Sequence, residues 1–212
     1  MSTLAPPPKK PNARDGILDA ALRVIREKGY GATSVDDLCQ TAGVTKGAFF
    51  HHFKSKEALG VAAARHWSDT IAPKFARAPY HNPADPLDRV LAYLDFRRGL
   101  IRGPASEFSC VAGTMVQETH QSSPMIRDAC YEAITEHAQT LEADIAAAIA
   151  KYGIVIETTA ASLALYSQTV LQGAFIVAKA KNDPQVAIDS IDHLRCYFEM
   201  LFNPPTRQEA LS

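Results

Sequence analysis

Aspartate or serine, both good helix-capping residues, is followed directly by proline three times in this chain, at Asp85-Pro86, Ser123-Pro124 and Asp183-Pro184. The capping side chain accepts a free backbone N–H of the first turn, and proline fits the first helical position because its missing N–H would have no partner there. No stretch shows sustained alternation of apolar and polar residues, and β-branched residues do not cluster between turn signals. We therefore predict an all-α fold with about nine helices.

The first 55 residues predict shorter helices than the remainder. The segment "NARDGILDAALRVIREKG" carries apolar residues at helical spacing and ends at Gly29. Ser34 stands three residues before Asp37, the spacing of a capping box, and the helix that it opens ends at Gly43. Thr45 and Ser55 are predicted to cap the third helix and a longer fourth helix.

Charge divides the chain near the same point. Residues 1–60 contain nine Lys/Arg and six Asp/Glu, whereas residues 61–212 contain thirteen and seventeen. A basic head is a weak indication of an anionic partner. We expect a flexible basic arm over residues 1–11, a DNA-binding head over 12–54, and a ligand-sensing and dimerisation body over 55–212.

Several classes of protein are not expected from the sequence. The proline-rich, basic start is unlike a secretory signal, and no apolar run approaches the roughly 18 residues that span a bilayer, so we expect a cytoplasmic protein without a membrane segment. The four cysteines lack the spacing of a zinc site or a disulfide framework. We predict no metal, no cofactor and no catalytic residues. The cysteines are Cys39, Cys110, Cys130 and Cys196.

Residues 34–52 have the pattern of a helix-turn-helix, in which the second helix enters the DNA major groove. Phe49 and Phe53 lie four residues apart and are predicted to face inward, while Lys46, His51 and His52 face outward. Spacing alone leaves open the alternative that these helices do not bind DNA, because glycine between two helices is common and two histidines can form a solvated edge.

Residues 29–59, "GYGATSVDDLCQTAGVTKGAFFHHFKSKEAL", resemble the DNA-binding signature of the TetR family of transcriptional repressors. The matching features are the Thr-Ser pair, the "AGVTKG" turn, the paired aromatics and the "SKEAL" run. The resemblance implies binding to double-stranded operator DNA, with base contacts from Lys46, Gly47, Ala48 and His51 and the best guanine contact from Lys46. Phosphate contacts are implied for Phe50, His52, Lys56 and Thr33 or Ser34. Thr45, at the start of the recognition helix, is also a predicted DNA-binding residue.

The resemblance also implies a homodimer through the last two helices and an effector pocket among the central helices. Apolar residues at helical spacing in 160–178 and 186–202 support the dimer, because they exceed what one small body needs to cover. Each pocket candidate is alternatively a plain core residue. The candidates are Trp67, Phe75, Tyr93, Phe96, Phe108, Met115, His120, Tyr131, Tyr166 and Phe175.

Within that family the chain is most similar to the electrophile-responsive, NemR-like repressors, on the residues "HHFKSKEALGVAAARHW" and the Ser-Cys-Val start of a central helix. This similarity implies that Cys110 is a sensing thiol and that Lys179 lies near it. A neighbouring ammonium favours the reactive thiolate. The alternatives are a Cys110 that simply packs and a Lys179 that meets the last carbonyls of its own helix.

These features lead to the hypothesis of a repressor that a small hydrophobic ligand, or electrophilic or oxidative modification of Cys110, releases from a palindromic operator. One alternative keeps the fold but uses a reversible hydrophobic inducer without cysteine chemistry. Two alternatives come from other classes of protein. The first is a thiol enzyme in which Cys110 pairs with His120 or His137, and the second is a helical partner-binding module without DNA activity.

Overall fold

A computed structural model describes residues 12–202 and confirms the all-α prediction. This range forms ten α-helices and one 3₁₀ turn, with no strand among these residues. The structure has one helix more than the nine or so predicted, because residues 105–119 form two short helices, the one-turn α6 and α7. The predicted arm over residues 1–11 lies outside the described residues. The helices are α1 (Ala13–Lys28), α2 (Val35–Ala42), α3 (Lys46–His52), α4 (Lys56–Ala76), α5 (Pro86–Gly99), α6 (Ala105–Phe108), α7 (Val111–Thr119), α8 (Pro124–Tyr152), α9 (Ala160–Lys181) and α10 (Gln185–Phe202), with the 3₁₀ turn at Pro79–His81.

Capping side chains open the helices where the sequence predicts them. The last start differs slightly, because α10 begins at Gln185 and not at Pro184, and the Asp183 carboxylate accepts the N–H of Gln185 at 2.9 Å. Each of the other predicted caps accepts a backbone N–H two or three residues ahead. These caps are Ser34, Thr45, Ser55, Asp85 and Ser123.

Two clusters of buried side chains form the core. The first joins α1–α4 to α7 and the first half of α8, and contains Phe49, Leu59 and Ile126. The second joins α5, the rest of α8, α9 and α10, and contains Leu171 and Phe198. Because the first turns of α4 are buried in one cluster and its last turns in the other, α4 runs through the junction between head and body.

The helix α9 is long and apolar enough to cross a membrane by length and composition, contrary to the expectation that no apolar run approaches this length. In the fold it packs against α8 and α10. Leu171, Ala174 and Phe175 on this helix are buried in the body cluster. Part of its apolar surface therefore packs within the chain, whereas Leu165, Tyr166, Ile176 and Val177 on the same helix are exposed.

Candidate DNA interface and ligand cavity

The helices α2 and α3 meet at a turn that depends on glycine. Gly43 ends α2 with φ of 66°, in the left-handed region that side chains other than glycine rarely adopt. Thr45 then caps α3 by accepting the N–H of Ala48 at 3.1 Å. Phe49 and Phe53 are buried in the head cluster, at 0% and 4% exposure. The inward face of α3 is thus fixed against the head.

The other face of α3 is open to solvent. It is polar and basic, and it contains no acidic residue in its first turn. Such a short, rigidly held helix with one free face has the form of a major-groove recognition helix. Lys46, Gly47, Phe50 and His51 are exposed on it, and Ala48 and His52 are half-buried.

Lys46 forms an ion pair with Asp36 that the sequence did not predict. The Lys46 ammonium lies 2.8 Å from the Asp36 carboxylate, and hydrogen bonding to Asp36 raises the pKa of Lys46. Both side chains are more than 60% exposed, at 61% and 68%. Ion pairs this exposed contribute little stability, so Lys46 can leave Asp36 for another acceptor. No sequence signal identified this pair, because it crosses from α2 to α3.

Of the two residues predicted as alternatives for a phosphate contact, Thr33 or Ser34, Thr33 is buried. Its side chain is 1% exposed, and its hydroxyl donates to the carbonyl of Gly29 at 2.6 Å. Ser34 is exposed, but its hydroxyl is engaged with Asp37 in the capping box. Ser34 is therefore the one of the two that could reach a phosphate.

Lys56 is tied to the turn before α2. Its ammonium donates to the carbonyl of Gly31 at 3.2 Å and lies 4.5 Å from the centre of the Tyr30 ring. Burial lowers the pKa of Lys56. The lysine joins the start of α4 to the head in addition to any contact with DNA.

Cys110 is the N-cap residue of α7, one position before the helix. Its sulfur accepts the N–H of Gly113 at 3.4 Å. The charges of Arg26 and Lys179 both interact with Cys110, and burial lowers the pKa of both cations. Lys179 also donates to the hydroxyl of Thr114 at 2.9 Å. The Cys110 sulfur therefore lies at a helix N-terminus with two cationic side chains nearby.

The remaining cysteines have different surroundings. Burial raises the pKa of Cys130 to about 12 and raises that of Cys39. Cys196 is exposed on α10. Cys110 is half-buried, contacts both core clusters and lines a cavity. Cys110 thus differs from the other three thiols in that it lines a cavity and has two cationic side chains nearby.

Two neighbouring cavities of about 140 and 400 Å³ lie beside α4 and α8. The first is also lined from α5 and α9, the second from the 3₁₀ turn, and the two share wall residues from α4 and α8. A separate groove lies on the other side of Cys110 and is lined by Arg26, Lys179 and Ser109. The shared wall residues are Ile71, Phe75, Ala133 and His137.

Trp67, Phe75, Phe108 and Phe175 line the first cavity together with Cys110. Lys179 does not line it, and belongs to the groove beyond Cys110. Phe96 packs against the outer side of Phe75, and Tyr93 is fully buried behind the wall.

Four other predicted pocket residues lie elsewhere. Met115 is fully buried in the head cluster, because α7 presents that face to α1 and α8. Tyr131 is 65% exposed on the outer side of α8. Tyr166 is 43% exposed on α9, where its ring packs against Tyr197. His120 is exposed at the end of α7. Apolar spacing could not distinguish these surfaces from a cavity wall.

Sequence reasoning missed Arg97 and Gln168, and considered His137 only as a base for Cys110. Arg97 donates to Nε2 of His137 at 3.1 Å, and both residues line the first cavity. Burial and the charge of Arg97 lower the pKa of His137 to about 3. A usable signal existed, since Arg97 follows Tyr93 by four residues and therefore shares its inward face.

Two family models match the chain. Residues 17–63 match "Bacterial regulatory proteins, tetR family", and residues 86–190 match "Transcriptional regulator LmrA/YxaF-like, C-terminal domain". The first range covers α1–α3 and the start of α4. The second contains the cavity walls contributed by α5, α8 and α9.

Individual relatives are also transcriptional regulators, in agreement with the family models. The transcriptional regulator LmrA of Bacillus subtilis is 29% identical over 139 residues, which is 62% of this chain and 70% of that protein. The crystal structure of Escherichia coli NemR in its reduced form superposes with a TM-score of 0.74 at 20% identity, covering 87% of this chain and 95% of NemR. A cysteine mutant of the regulator CifR, in complex with 26-bp operator DNA, gives a TM-score of 0.71 at 19% identity and covers 91% and 98%.

Proposed function

Because the chain belongs to the TetR family of DNA-binding transcriptional regulators, we propose that it represses transcription as a homodimer on a palindromic operator and that an effector releases it. The observation that carries the proposal is the exposed, basic face of α3, held by Gly43, Thr45 and Phe49. The family consists of transcriptional regulators and not enzymes, so the thiol-enzyme alternative is set aside. We place the protein in the cytoplasm, where its operator would be.

The dimer would form through α9 and α10. On α9 the residues Leu165, Tyr166, Ile176 and Val177 are between 42% and 53% exposed, and Met200 on α10 is 59% exposed. Exposed apolar side chains on adjacent helices are typical of a surface that a second subunit covers. Such a dimer would place two α3 helices at the spacing of successive major grooves, about 34–36 Å. Within the predicted range 160–178, Leu163 and Ala174 are instead buried within the protomer.

Release would operate through α4. This helix begins next to the recognition helix, with Leu59 in the head cluster, and ends with Ile71 and Phe75 on the cavity wall. A ligand that displaces the cavity wall would move the same rigid helix at its DNA end. Such an effector acts only to the extent that it binds the released conformation more tightly.

Cys110 is the proposed site for electrophilic or oxidative effectors. Its position between the two core clusters means that an added group would disturb both. Arg26 and Lys179 place positive charge beside the sulfur that an electrophile would reach. The alternative of a reversible hydrophobic inducer uses the adjoining cavity and requires no thiol chemistry.

The test is an operator gel shift on DNA from upstream of the gene, with and without N-ethylmaleimide. Wild type, Cys110→Ser and the exposed-thiol control Cys196→Ser are compared. Release of wild type and Cys196→Ser but not of Cys110→Ser is the result expected for a Cys110 sensor. Release of all three contradicts the sensor role, and release of none leaves the reversible inducer as the mechanism. Absence of any specific shift contradicts the repressor itself.

A further inference from the structure

Arg97 is a cationic side chain in an otherwise mostly apolar cavity wall. It projects from α5, and its guanidinium lies 5.4 Å from the centre of the Phe75 ring and 5.9 Å from that of Phe175. Contacts with aromatic faces hold a guanidinium in one place without neutralising it. The cavity therefore contains a positioned positive charge.

Within residues 12–202, Arg97 has no carboxylate within ion-pair distance. The other arginines on the same helix differ, since Arg89 pairs with Asp144 at 2.7 Å and Arg98 with Asp192 at 2.8 Å. The hydrogen bond from Arg97 to His137 uses one of its five N–H donors. Most of the guanidinium's donors thus have no acceptor in this part of the chain.

A neutral hydrogen-bond chain supports Arg97 from behind. Because arginine only donates, Nε2 of His137 must be the acceptor, which places the proton of the neutral ring on Nδ1. The hydroxyl of Tyr93 lies 3.2 Å from the same nitrogen and accepts from Gln168 at 2.9 Å. These groups orient the guanidinium and supply no negative charge.

Two further charged residues line the first cavity, Lys74 and Glu107. Both are exposed, and neither forms an ion pair among the described residues. One of them is positive and the other negative, so they do not offset Arg97. The remainder of the wall is largely apolar and aromatic.

We propose that this cavity binds a small apolar or aromatic carboxylate, with the carboxylate paired to Arg97 and the hydrocarbon part against Phe75, Phe108 and Phe175. The planar fork of arginine matches the two oxygens of a carboxylate, and paired, charge-assisted hydrogen bonds are the strongest of their kind. The first cavity, of about 140 Å³, gives room for a hydrocarbon part of one ring or a short chain. The proposal rests on the proposed function only for the ligand's role as effector.

The same charges disfavour other ligands. A cation would meet Arg97 between the aromatic rings that would otherwise attract it. A neutral hydrocarbon would displace water from the guanidinium without replacing its hydrogen bonds, and a half-buried charge left in that state is destabilised. A carboxylate both fills the apolar volume and pairs the charge.

Direct binding to the purified protein tests the site without DNA. Trp67 is the chain's single tryptophan and lines the cavity, so its fluorescence reports occupancy. The probes are 3-phenylpropionate and its neutral amide, 3-phenylpropanamide. We expect wild type to bind the carboxylate about 10- to 100-fold more tightly than the amide. Arg97→Gln should lose this preference, and Arg97→Lys should retain part of it because the charge remains while the fork is lost.

Arg98→Gln is the matched control, since it removes the adjacent arginine that faces Asp192 on the outside. It should keep the wild-type preference. Equal or tighter binding of the amide by wild type, no binding of the carboxylate at millimolar concentration, or an unchanged preference in a folded Arg97→Gln each overturns the proposal. Thermal melts check folding, and the two-probe comparison in wild type stands even if a variant does not fold.

The role as effector is a separate measurement. The same carboxylate is added to the operator gel shift. Fluorescence binding without release from the operator would confirm the site and contradict its part in regulation. No specific operator binding at all would contradict the proposed repressor while leaving the carboxylate site intact.

Discussion

The carboxylate of Glu118 accepts the backbone N–H of Gly31 with one oxygen, and that of Tyr30 with the other at 3.1 Å. Glu118 lies near the end of α7, the helix that Cys110 caps at its beginning. The turn that it holds leads directly into α2. One short helix therefore joins the candidate sensing thiol to the helix-turn-helix, in parallel with the path through α4.

Replacing Glu118 with alanine should weaken communication between the cavity and the head. The two charge-assisted hydrogen bonds to the turn would be lost, while α3 itself would remain intact. We expect the effector-induced change in operator affinity to fall by about fivefold, at the lower end of typical coupling energies. Operator titrations with and without effector measure it. Gln117→Ala is the control, because within residues 12–202 that side chain hydrogen-bonds only to the Gly113 carbonyl of its own helix. An equal loss in this variant would contradict a specific role for the hydrogen bonds from the turn to Glu118.

Lys46→Ala should reduce operator affinity by about 5- to 150-fold, the range of a lost base contact. The same change at Lys151, which pairs with Asp85 at the far end of the body, should have no effect. Asp36→Asn should increase operator affinity for two reasons. Lys46 would no longer have to break its ion pair with Asp36 to contact DNA, and a negative charge beside the phosphates would be removed. Quantitative gel shifts at fixed salt measure all three, and weaker binding by Asp36→Asn would contradict this account.

The parts of the fold that depend on neighbours in sequence could be predicted. Ser34, Thr45 and Ser55 cap helices because the N–H groups they accept lie within three residues. Phe49 and Phe53 are buried because a four-residue interval places them on one helical face. The helix-turn-helix is local in the same sense, and its sequence therefore identified it.

The site between the helices could not be predicted in the same way. The bond between Arg97 and His137 joins residues 40 apart, and that between Glu118 and Tyr30 joins residues 88 apart. Both arise from tertiary packing, which no spacing in the sequence encodes. Tyr131 and Tyr166 show the converse, since apolar residues at helical intervals can face solvent or a second subunit as readily as a core.

Acidification should destabilise the protein partly through His137. Its pKa is about 3 in the folded chain and 6.5 as a free side chain. Between these values the unfolded chain binds a proton that the folded chain does not, so the free energy of unfolding falls as the pH falls. From pH 7 to pH 5 this group should contribute a loss of about 2 kcal/mol. Urea unfolding at the two pH values should show a smaller loss for His137→Gln.

The exposed His193 is the control for that experiment. The free energy of unfolding of His193→Gln should depend on pH as that of wild type does, since His137, the carboxylates and the other groups are the same in the two proteins. If His137→Gln loses as much free energy of unfolding as wild type between pH 7 and pH 5, the folded ring of His137 is able to accept a proton. The hydrogen-bond chain behind Arg97 would then not be neutral.

Gly60→Ala should separate α4 from α8, where the head meets the body. A Cβ at this buried position would lie 2.7 Å from Cδ1 of Ile126 and 3.0 Å from the Tyr30 ring. Overpacking of this kind destabilises by about 1–3 kcal/mol, and the better helix propensity of alanine returns about 1 kcal/mol. We expect a net loss of about 1 kcal/mol in urea unfolding, together with weaker operator binding. Gly16→Ala, with nothing within 4 Å of its Cβ, should instead be stabilising.

A double-mutant cycle tests whether the contact with Ile126 is the cause. Ile126→Val removes the Cδ1 atom that the new methyl group meets and on its own destabilises by about 1 kcal/mol. If the contact is responsible, Gly60→Ala with Ile126→Val should be more stable than the sum of the single changes predicts. Recovery of operator affinity in the double variant would show that the distance between α4 and α8 sets the position of the recognition helix. Strict additivity would instead assign the loss to the Tyr30 ring and the turn that Glu118 holds.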